Sequence, residues 1–497
     1  MTEPSSSQNP KYWLYGVLLF AGLTRLLTLG AYPLFDTTES RYAEIAREMV
    51  ATNNWITPQF DYGTPFWGKP PLSSWATAIF LKAFGVNEFA ARFSSLLFAV
   101  GIVWLTYRLA LRRQNRDFAI TACVILSTSV LFYVAGGSVM TDPALAFGTT
   151  LSMVSFWLAV TDETARGRFW GYLFFIGLAI GLLAKGPVAI VLTMVPIAIW
   201  VAVKNQWKPT WQRLPWIIGS LLAMGIALPW YLAAEKATPG FLEYFIIGEH
   251  WKRFTVSGWK GDLYGKGHST PHGTIWLYWI LATFPWCFVF FEFLLRNGRK
   301  NSELVRNDWL FFLVLWAITP MLFFTLAANI LWTYVLTGLP AFALILAELM
   351  NSQKNSSTYQ KHAWLSMSLP LVTPIVFSVG LFFIPSSIVA NKTQKAIVSN
   401  YLEVRPSPAS KLVYIGNRPY SAEFYSHGTA QIAATPEAVT RYLSDKQENV
   451  FVINKKDLER LSGNVKADLS KLADHGMFEL LVNKNSLAGD PANIRAK

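Results

Sequence analysis

Asp36-Thr37-Thr38-Glu39-Ser40-Arg41-Tyr42-Ala43-Glu44-Ile45-Ala46-Arg47-Glu48-Met49 follows the first apolar run of the chain, and Trp67-Gly68-Lys69-Pro70-Pro71-Leu72 comes shortly after it. A charge at the edge of a bilayer costs several kcal/mol unless it is paired, so a segment that served only as an anchor would not carry so many. Tyr42, Ile45, Ala46, Met49 and Val50 recur at i, i+3, i+4, i+7 and i+8, with Arg41, Glu44, Arg47 and Glu48 opposite. That spacing predicts an amphipathic helix lying on the membrane surface. Asp36 is placed to cap this helix, and Glu39 to be the reciprocal carboxylate of a capping box. The same two carboxylates are acid–base candidates, and the residues alone leave both readings open.

Outward from this stretch, the 497-residue chain is 53% hydrophobic and only 15% charged, which excludes an ordinary soluble domain and predicts a mainly α, polytopic membrane protein. The formal net charge of +13 would suggest nucleic acid in a soluble protein. Here the basic residues gather in short loops between apolar runs, so the partner is the lipid bilayer and not nucleic acid. Cys123 and Cys287 sit in apolar runs and mark neither a disulfide framework nor a thiolate metal site. The first run lacks a basic n-region before it and a small-residue cleavage site after it, and reads as an uncleaved span.

Runs long enough to cross a bilayer fall near 12–34, 89–110, 118–136, 143–161, 168–184, 186–203, 214–233, 274–295, 309–327, 331–349 and 363–385, about eleven spans. The run 71–84 follows two prolines, contains Lys82 and is short, so it reads as an interfacial or re-entrant helix. The positive-inside rule puts the loops around Arg108–Arg116, Arg166–Arg168, Lys204–Arg213, Arg296–Arg306 and Lys354–Lys361 in the cytoplasm, with the N-terminus. The opposite, periplasmic face then receives 36–88, Thr141-Asp142-Pro143, Lys185-Gly186-Pro187, the large loop 234–273 and everything after 386. Domain organisation follows: a transmembrane part over 1–386, a linker over 387–407, and a small periplasmic α/β domain over 408–497. In that domain strand-like runs (411–415, 431–434, 450–453, 478–482) alternate with helical ones.

Transfer of a group from a lipid phosphate needs a carboxylate to deprotonate or orient the acceptor hydroxyl, and cations for the phosphate that leaves. Glu39 and Asp36 are the carboxylate candidates, while Lys69 and Arg253 are cations expected on the same face. Asp142 stands before Pro143 at the start of a span, either as a helix cap or as a counter-ion. The loop 234–273 is dense in aromatic and charged residues, among them Glu249, His250, Arg253 and His268, and suits closure over a lipid phosphate and a sugar. His268 and His272 have i, i+4 spacing, but Pro271 and Gly273 interrupt a helix there and a third ligand is not evident. The expected site therefore holds no metal and needs no cofactor, a divalent ion being the weaker alternative.

Arg41-Tyr42-Ala43-Glu44-Ile45-Ala46-Arg47-Glu48-Met49, Lys69-Pro70-Pro71-Leu72, Phe89-Ala90-Ala91-Arg92, Thr141-Asp142-Pro143, Leu183-Ala184-Lys185-Gly186-Pro187, Glu249-His250-Trp251 with Arg253-Phe254, and Thr333-Tyr334 stand in this order. With that order and spacing the chain resembles the polyprenyl-phosphate-sugar glycosyltransferases of the integral-membrane GT-C type, in their aminoarabinose transferase branch, related to protein O-mannosyltransferases. The resemblance implies a thirteen-span plan. It also implies inverting transfer of a sugar, such as 4-amino-4-deoxy-L-arabinose, from undecaprenyl phosphate to lipid A or another envelope acceptor at the periplasmic face of the bacterial inner membrane. It places Glu39, Asp36 and Asp142 in catalysis, Arg41, Tyr42, Lys69, Arg253 and Tyr334 on the donor phosphate, and Glu249, His250 and His268 in the substrate loop. The chain departs from the family where Thr38 and Glu39 replace an Asp-Glu pair. It departs again where Gly68 stands for a glutamate, and where Ala327-Ala328-Asn329-Ile330-Leu331-Trp332 replaces a lysine-rich turn. Transfer onto protein hydroxyls is the alternative within the same chemistry, and a lipid-sugar flippase the alternative outside it. A transporter would carry its ionisable residues inside the spans.

Overall fold

The computed structural model describes residues 12–265, 270–296, 307–352, 363–405, 407–445, 449–459 and 461–484. The His268 assignment and most of the basic loops expected around 296–306 and 353–362 lie outside the described residues. Two compact units form. One comprises residues 1–29, 54–76 and 92–379, and the other residues 30–53, 77–91 and 380–497.

The first unit is helical and multi-pass. Among the described residues six helices are long and apolar enough to cross a membrane: Glu88–Arg113, Asp142–Thr161, Ala165–Lys185, Trp216–Ala237, Asp308–Thr325 and Trp332–Ser352. Two further pairs pass only as bent segments, Thr274–Thr283 with Trp286–Leu295 at 108° and Ser368–Phe382 with Ser386–Lys392 at 87°. By length and composition alone six helices pass among the described residues, or eight segments with the bent pairs, and the other expected runs hold shorter or divided helices. The reasons are local. Pro285 interrupts the run expected over 274–295, since proline lacks the N–H a helix interior needs. The run 118–136 is divided at Ser129 into Arg116–Thr128 and Val130–Ala135, and Tyr12–Thr28 and Val188–Val203 are short of full span length. Leu72–Phe84 is a 13-residue helix, as its length suggested.

Small residues let the spans pack closely. Gly148 of Asp142–Thr161 faces Gly177 and Gly181 of Ala165–Lys185, where an added Cβ would lie 2.7 Å from the Gly181 nitrogen. At the end of the second of these helices Gly186 adopts φ +82°, and a Cβ there would lie 2.6 Å from the Phe245 ring. Only glycine fits, and the helix therefore stops with Lys185 in its last turn.

The second unit is built around a five-stranded mixed sheet in the order Gln431–Ala433, Leu412–Ile415, Val450–Asn454, Phe478–Asn483, Leu469–His475. The first three strands are parallel and the last two pairings antiparallel. Leu412–Ile415 is buried throughout, matching its continuous apolar run. The edge strand Leu469–His475 escaped the sequence reading because Ser470, Lys471 and Asp474 break its hydrophobic pattern. Helices Tyr420–Tyr425, Ser386–Lys392, Lys395–Val404 and Pro436–Ser444 belong to the same unit, as does the first-loop helix Thr38–Thr52.

Candidate active site

Within the first unit the chain between Tyr244 and Lys252 winds as a π-helix, a form found disproportionately at functional sites. Glu249 projects from it and receives two cations. Its Oε2 lies 2.8 Å from the Lys69 Nζ, and its Oε1 2.8 Å from Nη1 of Arg253, one turn on. The second amino group of Arg253 lies 3.7 Å from Asp262. The acid is sealed, with 3% side-chain exposure, whereas Lys69 and Arg253 retain 17% and 25%. Burial alone would raise the Glu249 carboxyl, but the charges of Lys69 and Arg253 outweigh it and hold the group below the ordinary carboxylate range. Glu249, expected in the substrate loop, is the anion that sets these two cations side by side.

Lys69 is positioned by its neighbours. Its ammonium donates to its neighbour's carbonyl on Gly68 at 2.6 Å as well as to Glu249. Trp67 donates its backbone N–H to the Tyr264 hydroxyl at 2.9 Å and its indole N–H to Thr238 at 3.0 Å. Gly68 lies so close beneath Phe66 that a Cβ would stand 2.8 Å from that ring. Any larger residue at this position would need the aromatic floor to shift.

A second cation station lies at the Lys185 helix end. Lys185 donates to Asp142 at 2.7 Å, and its ammonium stands 4.6 Å from the centre of the Tyr334 ring. Tyr334 stacks on Phe324 at 4.3 Å. The helix N-cap is Thr141, and Asp142 opens the first turn with Pro143, so its carboxylate serves as counter-ion rather than as cap. His250 bridges the Phe245 carbonyl at 2.8 Å and the Lys185 carbonyl at 3.1 Å, and burial pushes it below the ordinary histidine value. It ties the π-wound segment to the Lys185 turn. Lys185 adds to the residues that the sequence singles out, and its place at a forced helix end is the signal for it.

In the second unit, the first-loop helix begins at Thr38 with Thr37 as its cap and no side-chain cap bond. Asp36 is thus not the cap that the sequence suggested. Its carboxylate receives the Ser421 backbone N–H at 3.0 Å and the Ser421 hydroxyl. Ser421 Oγ in turn accepts from the Gln394 N–H at 2.9 Å, and Gln394 Oε1 accepts from the buried Tyr414 hydroxyl at 3.2 Å. Burial pushes Asp36 up to about 6 against the two Ser421 bonds. Arg41 lies over the ring of Tyr42 at 5.3 Å and is hydrogen-bonded to the Tyr420 hydroxyl.

The polar face of this helix is also corrected. Glu44, Arg47 and Glu48 were expected in water but are 1%, 4% and 0% exposed. Arg47 holds Glu44 through two bonds of 2.7 and 2.6 Å and donates to the His427 carbonyl at 3.3 Å, so the segment 418–428 covers what a lone amphipathic helix would leave solvated. Glu39 remains half-buried in the first turn.

This architecture, a helical unit with a sheet domain towards the C-terminus of the sequence, is shared as a fold with two solved structures. In sequence the chain is similar to a mannosyltransferase family model and to aminoarabinose transferases. A family model described as Dolichyl-phosphate-mannose-protein mannosyltransferase matches residues 17–245. The undecaprenyl phosphate-alpha-4-amino-4-deoxy-L-arabinose arabinosyl transferase of Enterobacter sp. (strain 638) is 32% identical over 341 residues, covering 67% of this chain and 59% of that protein. Its counterpart from Aeromonas hydrophila is 31% identical over 374 residues, covering 73% of this chain and 64% of that protein. The chain thus spans about three fifths of the length of the curated relatives it matches. The structure of ArnT from Cupriavidus metallidurans bound to undecaprenyl phosphate superposes with a TM-score of 0.73 at 18% identity, over 96% of this chain and 99% of that one. The apo oligosaccharyltransferase of Archaeoglobus fulgidus gives 0.56 at 13% identity, over 91% and 71%.

Proposed function

We propose that this protein transfers a sugar from undecaprenyl phosphate, with inversion, to an acceptor hydroxyl of the bacterial envelope, with 4-amino-4-deoxy-L-arabinose as the sugar and lipid A of lipopolysaccharide as the acceptor. The observation that carries this reading is the pair Lys69 and Arg253, set side by side on one sealed carboxylate and both still part-exposed. Two adjacent cations of this kind suit a phosphate whose charge grows as the sugar departs. The deprotonated acceptor oxygen forms the new bond to the anomeric carbon while the bond from that carbon to the phosphate oxygen breaks, and undecaprenyl phosphate leaves with the electron pair. Lys69 and Arg253 stabilise that charge, with Tyr42, Arg41 and Tyr334 as further donor-binding groups. Asp142 fixes Lys185, and Glu249 and His250 hold the substrate loop.

The base in this reading is Glu39, because both oxygens of Asp36 are engaged by Ser421. No resident metal or other cofactor is required, since the cations supply the positive charge. The protein sits in the inner membrane with its N-terminus in the cytoplasm. Residues 1–386 form the transmembrane glycosyltransferase part, and 408–497 a periplasmic domain joined through 387–407. A reporter active only in the periplasm, fused after Lys497, checks that orientation. The match to the mannosyltransferase model over 17–245 favours protein hydroxyls as the second acceptor class.

The test is reconstitution of the full chain with undecaprenyl-phosphate aminoarabinose and lipid A, read by the mass of the lipid product. Donor consumption with unmodified lipid A and a glycosylated protein selects the second reading. Donor moved across the bilayer without glycosyl transfer selects a flippase.

A further inference from the structure

The loop 326–331 enters the first unit between two spans, yet Ala327, Ala328, Asn329 and Ile330 are all buried. Backbone there has to find partners, and Ala328 donates its N–H to the Phe254 carbonyl at 2.8 Å, next to Arg253. Phe254 packs on Phe323 at 4.8 Å, and beyond the loop Tyr334 lies over Lys185. The loop is therefore anchored at both cation stations.

Asn329 is 7% exposed, and neither its amide nitrogen nor its amide oxygen has a hydrogen-bond partner among the described residues. The Thr333 hydroxyl, four residues on and 8% exposed, has none either. An amide buried in this way forfeits its bonds to water, and a leucine of similar volume would avoid that cost. A residue that lowers stability where an apolar one would fit is the signature of a binding group.

We propose that Asn329, with Thr333, is a specificity-determining group that hydrogen-bonds the hydroxyl and amino substituents of the donor's sugar ring. This rests on the glycosyl-transfer reading above. A neutral amide both donates and accepts, which matches a hydroxyl, whereas a phosphate calls for the cations already gathered at Lys69 and Arg253.

The experiment uses the full chain in lipid nanodiscs and compares wild type with Asn329→Leu; Asn329→Ala gives the same readout should leucine not fit. Binding of undecaprenyl phosphate alone is expected to change less than twofold. Binding of undecaprenyl-phosphate aminoarabinose is expected to weaken roughly ten- to a hundredfold, the worth of one or two hydrogen bonds to a buried amide. The unfolding temperature of the unliganded protein is expected to hold or rise. A fall in unfolding temperature with unchanged discrimination between the two lipids overturns the inference and makes the amide structural. A loss confined to the KM for lipid A also overturns it, by giving the hydroxyls to the acceptor. A wild-type protein that binds neither lipid refutes the transfer reading itself, a distinct outcome.

Discussion

Replacing Asp36 separates holding from chemistry at the first-loop helix. Its carboxylate receives two bonds from Ser421, whose hydroxyl also accepts from Gln394. In Asp36→Asn the amide oxygen keeps the Ser421 N–H, and the amide nitrogen faces a hydroxyl that has a second lone pair to offer; the loss is about 1 kcal/mol. In Asp36→Ala both Ser421 donors lose their acceptor in a buried place, costing about 1–3 kcal/mol each. If Asp36 is a fastening, Asp36→Asn turns over within about threefold of wild type, and Asp36→Ala unfolds at lower temperature while its folded fraction keeps its rate. Glu39→Gln should instead lose about 10²–10⁴ in kcat, the range of general-base catalysis. The assay is transfer from undecaprenyl-phosphate aminoarabinose by purified protein, normalised to the folded fraction, with thermal unfolding followed in parallel. A hundredfold loss in Asp36→Asn at an unchanged unfolding temperature refutes the reasoning and makes Asp36 the base.

Lys69→Ala should lower kcat/KM by about 10²–10³, the usual cost of removing one group that stabilises developing charge, with insertion into the membrane intact; near-normal turnover would remove Lys69 from the phosphate site. Glu249→Gln leaves two neighbouring cations without their buried anion and should destabilise the protein by about 3–5 kcal/mol, read from denaturant unfolding. Burial raises Asp36 to about 6 and Glu44 to about 7, so both bind a proton more tightly folded than unfolded. Their contribution is complete below about pH 4 and is lost as pH rises through about 6–7, so the unfolding temperature should be higher at pH 5 than at pH 8, with Glu44→Gln flattening the slope. Dialysis against EDTA should leave the transfer rate unchanged; recovery of lost activity by a divalent ion would overturn metal-free transfer.

Much of this was readable in the chain because it is local. The 3.6-residue period marks the helix Thr38–Thr52, the Lys-Pro-Pro run marks the Lys69 turn, and Glu249 and Arg253 are one helical turn apart. What stayed hidden depends on partners far off in sequence. Nothing near Glu44 or Arg47 announces that residues 418–428 will cover them, and Ser421 and Tyr420 lie in an unremarkable six-residue helix. Charged residues on one helix face imply water only until another segment supplies equivalent bonds. The breaks within spans stayed hidden for a related reason: apolar length is a local property, whereas the bend at Pro285 and the division at Ser129 depend on what the freed backbone groups meet, such as the Val130 N–H on the Phe284 carbonyl at 2.9 Å.

The unit that fastens Asp36 is assembled from residues 30–53, 77–91 and 380–497, with the whole of 92–379 made in between. During synthesis the first-loop helix therefore emerges early with its buried charges bare, and waits until residues 380–497 have been translated. Interrupted translation yields a protein with most of its membrane helices but an unfastened first loop. Whatever needs the first loop fastened therefore depends on residues 380–497 having been made, and a copy stopped before them lacks it.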